Sequence, residues 1–86
     1  MNEMEKQSAL TSILKRLFAM QAATDQRYQV RRFDAYGLEV LKVTYDQDEQ
    51  VWLIEEHRMN KQYQFDDIDL VAIEIYDLLF DVQLTF

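Results

Sequence analysis

The residues with chemistry to offer fall into four groups. His57, the only histidine, follows Glu55 and Glu56. Strand alternation puts Glu55 and His57 on one face, where an imidazole nitrogen and a carboxylate offer two ligands to a divalent ion. A catalytic zinc takes three protein ligands, and the third would have to come from a loop such as Asp46-Gln47-Asp48-Glu49. That loop has a faint calcium-site spacing but lacks the glycine of the sharp turn, so a solvated hairpin turn is expected. Asp66-Asp67-Ile68-Asp69 offers carboxylates to Mg²⁺ or to a basic partner, yet helix capping accounts for it without either. Lys15, Arg16, Arg27, Arg31 and Arg32, interleaved with Tyr28 and Phe33, are the raw material of a single-strand nucleic-acid platform. Phosphate neutralisation needs a strong basic stripe, however, and the net charge is -7. Nucleic acid is therefore not an expected partner.

Composition removes whole classes of function. One Gly (Gly37) and no Pro among 86 residues exclude a Walker loop, a G-x-G-x-x-G fingerprint and a G-x-S-x-G elbow, each of which needs at least two glycines. With no Cys there is no thiolate nucleophile, no iron–sulfur ligation and no disulfide. The two serines, Ser8 and Ser12, fall in an amphipathic helical stretch, a poor place for a Ser/His/Asp triad. Paired carboxylates need an enclosed cleft to separate their pKa values, and nothing here announces one. We expect no enzyme, no cofactor and no metal site. No apolar run approaches a membrane span and the first residues lack a signal-peptide layout, so a cytoplasmic protein is expected.

The positioning elements follow from periodicity. Residues 7–23 place Leu10, Ile13, Leu14, Leu17, Phe18 and Met20 at helical spacing, with Ser12, Lys15 and Arg16 opposite. Short β-rich runs follow at Tyr28–Asp34, Leu38–Tyr45, Val51–His57 and Gln62–Phe65. Asp34-Ala35-Tyr36-Gly37 fits a type I turn with Asp first and Gly fourth, and 46–50 and 59–61 are polar breaks of hairpin length. Asp66 is the expected N-cap of a final helix over 67 to about 80. Its apolar residues, Ile68, Val71, Ala72, Ile73, Ile75, Tyr76, Leu78, Leu79 and Phe80, cover about 220° at 100° per residue, so more than one neighbour must pack on it. Leu70 falls on its polar side.

The strands carry a matching surplus. Alternation points Leu41, Val43 and Tyr45 one way and Leu38 and Val40 the other, and sets Val51 and Leu53 against Trp52 and Ile54. Two helices in so short a chain cover one face of a sheet. The other face is then either an interaction surface or a wet one made half-polar by Glu39, Lys42, Thr44, Glu55 and Glu56. Charge is uneven as well: residues 1–45 hold 7 basic and 5 acidic groups, residues 46–86 hold 2 and 11. A solubilising surface is the plain reading of the acidic half.

The stretch Tyr63-Gln64-Phe65-Asp66-Asp67-Ile68-Asp69-Leu70-Val71-Ala72-Ile73-Glu74-Ile75-Tyr76-Asp77-Leu78-Leu79 resembles the C-terminal signature of the YkuJ family of small bacterial proteins of unknown function. Gln26-Arg27-Tyr28 and Lys42-Val43-Thr44-Tyr45 are also similar, so the resemblance spans nearly the whole chain. Gln64 departs from it, standing where the family often has Pro. The resemblance carries over no catalytic residue. It implies a two-layer α+β domain, dimeric, in a bacterial cytoplasm.

These readings converge on a single α+β domain over 1–86, a two-layer α-β-β-β(-β)-α chain with an antiparallel meander and both helices on one face. The expected function is a non-enzymatic, homodimeric interaction module that binds itself or an unidentified protein partner. Its interface would draw on Trp52, Ile54, Ile73, Tyr76 and Phe80. The alternative is a small-ligand or divalent-metal regulator centred on His57, Glu55 and the 46–49 loop.

Overall fold

The computed structural model describes the backbone of residues 3–85 and the side chains of residues 5–80. The elements are α1 (Glu3–Ala22), β1 (Tyr28–Ala35), β2 (Leu38–Asp46), β3 (Val51–Glu56), β4 (Lys61–Phe65) and α2 (Ile68–Thr85). Each strand pairs antiparallel with its neighbour in the order β1-β2-β3-β4. Both helices pack on one face, which is the α+β meander expected from periodicity. The core forms where Ile13, Leu17 and Met20 of α1 and Val71, Ala72, Ile75 and Tyr76 of α2 meet the inward strand residues. Tyr45 and Trp52, paired across β2 and β3, set their ring centroids 4.3 Å apart at its centre.

The hairpins explain the register. Tyr36 and Gly37 both take positive φ, 55° and 77°, and Ala35 pairs with Leu38. This is a two-residue hairpin loop, not the type I turn expected from Asp34, and Gly37 sits at its second central position. The other two loops share one design. Asp46 pairs with Val51 and Glu56 with Lys61, leaving four residues between, the last of which (Gln50, Asn60) takes positive φ. In each, the carboxylate that opens the loop accepts the backbone N–H groups two and three residues on. Asp46 Oδ1 takes Asp48 and Glu49, and Glu56 takes Arg58 and Met59.

Four local expectations are corrected. The register shifts after Phe33, so that Phe33 pairs with Leu41 but Asp34 with Glu39; this bulge turns Val40 inward beside Leu41, whereas strict alternation put it with Leu38. Glu56 is buried under the β3–β4 loop that it caps and does not wet the open face. Asp67 rather than Asp66 caps α2, its Oδ1 accepting the N–H groups of Asp69 (2.8 Å) and Leu70 (3.4 Å). Phe18 and Ile73, assigned to apolar helix stripes, lie about half exposed with Leu70 on the outer side of the helices.

The end of α1 is closed by a residue that periodicity does not flag. Gln47 Nε2 lies 3.1, 3.0 and 2.7 Å from the carbonyl oxygens of Met20, Gln21 and Ala23. Its backbone N–H donates to Arg27 O at 2.8 Å. A helix that ends without glycine thus has its orphan carbonyls met by a side chain of the β2–β3 loop.

Candidate functional site

The residues singled out for metal chemistry are dispersed. His57 Nε2 pairs with Glu39 rather than Glu55, at 2.5 Å, and the same Glu39 takes Arg32 Nε at 2.9 Å. Glu55 faces Lys42 at 3.4 Å. Asp46 closes its own loop and receives two hydrogen bonds from Arg27, at 3.0 and 3.1 Å. Those bonds hold the Asp46 carboxyl below its ordinary value and Arg27 above its own. Among the described residues no three His, Cys, Asp or Glu side chains converge on a point where an ion would sit. His57, Glu55 and Asp46 thus each take a different partner.

The candidate interface set also comes apart. Trp52 and Ile54 point into the helix-covered core and are 1% and 0% exposed, because they share a face with Val43 and Tyr45. Tyr76 is buried against α1 and Phe80 half-buried, and among the five only Ile73 is open to solvent.

The open face of the sheet carries a different set. Val30, Thr44, Leu53 and Gln64 form one row across the four strands, and Tyr28, Asp46 and Val51 the next. Tyr28 and Val30 are exposed while Val51 and Leu53 are half-buried. A shallow hollow of about 190 Å³ lies among Tyr28, Thr44, Val51, Leu53 and Gln64. Around this apolar centre three cations meet four anions: Arg27 with Asp46 and the exposed Asp48, Arg32 with Glu39, and Lys42 with Glu55. The face is thus close to neutral on a chain of net charge -7.

A second feature lies on the helix side. Ile13, Phe33, Tyr76, Leu79 and Phe80 wall a cavity of about 280 Å³ between α1, β1 and the second half of α2, with Arg16 at its edge. The Arg16 guanidinium stacks 3.8 Å from the Phe33 ring centroid and donates to the Arg32 carbonyl at 2.8 Å. Its residues come from three separated stretches of chain, so no local pattern announces the cavity.

Comparison with protein families matches residues 13–79 to a family described as "Protein of unknown function (DUF1797)". The chain belongs to this family. A crystal structure of the YkuJ protein from Bacillus subtilis, also a protein similar in sequence at 31% identity, superposes with a TM-score of 0.74 and covers 81% of this chain and 95% of that one. The YkuJ resemblance read from the 63–79 stretch is therefore shown, and with it the two-layer fold. A search of curated proteins finds no match. Among the described residues, no helix is long and apolar enough to cross a membrane.

Proposed function

We propose that this DUF1797 protein is a non-enzymatic interaction module that works as a homodimer, its two copies meeting through the open face of the sheet. The observation that carries the reading is the contrast between that face and the rest of the surface. A chain of net charge -7 repels its own copy, and the face where Arg27, Arg32 and Lys42 neutralise Asp46, Glu39 and Glu55 lets two copies approach. At its centre Tyr28, Val30, Val51 and Leu53 supply apolar area to a two-fold, self-complementary contact. A bacterial cytoplasmic setting belongs to the same reading, which cell fractionation would check.

Sedimentation velocity over about a hundredfold concentration range tests the proposal on the wild type and on Leu53→Asp. The wild type should sediment at twice the 10.4 kDa chain mass, and the variant, whose aspartate would be buried without a partner in the contact, as a folded monomer. A wild type that stays monomeric throughout, or a variant that dimerises unchanged, would overturn it.

A further inference from the structure

We propose that the cavity between α1, β1 and α2 is a binding site for a small monocarboxylate with an aromatic or branched aliphatic body, its carboxylate held by Arg16 and Arg31 and its body seated against Phe33, Tyr76 and Phe80. The site is separate from the open sheet face, and the inference does not rest on the dimer.

The first support is an imbalance of charge. Carboxylates outnumber cations 16 to 9 in the chain, and Arg27, Arg32 and Lys42 each find one within 3.4 Å. Arg16 and Arg31 do not: among the described residues neither has a carboxylate within ion-pair distance, and both spend hydrogen bonds on backbone carbonyls, those of Arg32 and Val30. Arg31 is half-buried on the same helix-side face of β1 as Phe33, on which Arg16 stacks; burial first and then the Arg31 charge hold Arg16 below its ordinary value, with Asp34 opposing. In a protein this acidic, two cations on the helix side with no carboxylate at ion-pair distance among the described residues offer a place for an anion from outside.

The second support is shape. Arg16 lies at the edge of the cavity, and its stacking on Phe33 at 3.8 Å fixes the plane in which the guanidinium presents its remaining N–H groups. A planar carboxylate matches that fork, and the apolar walls take an uncharged body. A single negative charge suits the site better than a dianion, because Asp34 also lines the cavity and the whole chain repels excess negative charge.

The test is a two-dimensional NMR titration of the full chain with 3-phenylpropionate, and in parallel with the isosteric neutral 3-phenylpropanol. Saturable shifts centred on Arg16, Phe33 and Tyr76 are expected, with the acid binding at least about tenfold more tightly than the alcohol. Arg16→Gln should bring that ratio close to one. Should that variant lose its fold along with the Phe33 stacking, Arg31→Gln leaves the cavity walls intact and should lower the ratio several-fold. No saturable shift at about 10 mM acid, equal affinity for acid and alcohol, or a ratio untouched in folded variants would each overturn the proposal.

Discussion

The two faces of the sheet are built from the same four strands and solve opposite problems. On the covered face Leu41, Val43, Trp52 and Ile54 are at most 1% exposed, sealed by α2 and α1. One row across, Val30 and Leu53 are still apolar but are flanked by ion pairs, and among the described residues no helix covers them. The difference teaches where each kind of residue earns its stabilisation. Apolar area on the covered face contributes to folding of the chain itself, whereas apolar area on the open face contributes only when something docks there.

The largest expected effects fall on the covered face. Trp52→Ala should cost about 3 to 5 kcal/mol and Ile75→Ala about 2 to 5 kcal/mol in denaturant melts, because each removes a fully buried side chain from a closed core. Leu53→Asp, at protein concentrations low enough to favour single chains, should cost under about 1 kcal/mol. A cost at the Trp52 level would mean that Leu53 belongs to a core and that the contrast between the faces is false. Next comes Gln47→Ala, which strips the donor from the carbonyls at the end of α1 and should cost about 1 to 2 kcal/mol, with hydrogen exchange rising first in the last turn of that helix.

A smaller effect is carried by pH. The Arg27 hydrogen bonds lower the Asp46 carboxyl below its ordinary 3.8. Its contribution is therefore complete above that unfolded value and lost as pH falls through the lower folded one. Urea melts of Asp46→Asn between pH 7 and 2 should give a shallower acid limb than the wild type, and identical limbs would contradict the pairing. Glu74 has the reverse sign, because burial and then Asp77 raise its carboxyl. Its ionisation opposes folding as pH rises through the folded value, and Glu74→Gln should gain a little stability at neutral pH. The smallest effect is expected at His57→Ala, below about 0.5 kcal/mol, since its partner Glu39 keeps Arg32 and the pair is solvent-screened.

Much of the fold was legible because period-3.6 and period-2 patterns are strong at both ends and in the middle of the chain, and because a specific 63–79 stretch resembles YkuJ. The failures share a cause: each is set by a contact distant in sequence or by a one-residue shift. Val40 departs from strict alternation because a bulge follows Phe33 on the neighbouring strand. Glu56 looked like surface charge because nothing local reveals that its carboxylate will close the loop ahead of it. Gln47 reads as a bland loop residue until α1 is brought beside it, some 25 positions earlier in the chain. Trp52 and Ile54 read as surplus apolar surface until α2 is set against them. The Arg16 cavity needed 9–16, 33–34 and 76–80 to meet, which no window of sequence contains.

The central claim, that the open sheet face is where two copies meet, is tested most directly by an isotope-filtered NOE experiment on an equimolar mixture of labelled and unlabelled chains. Intermolecular cross-peaks should connect the Val30, Val51 and Leu53 methyls with the Tyr28 ring. Cross-peaks confined to Phe18, Leu70 and Ile73, the apolar residues exposed on the helix side, would contradict it, as would none at millimolar protein.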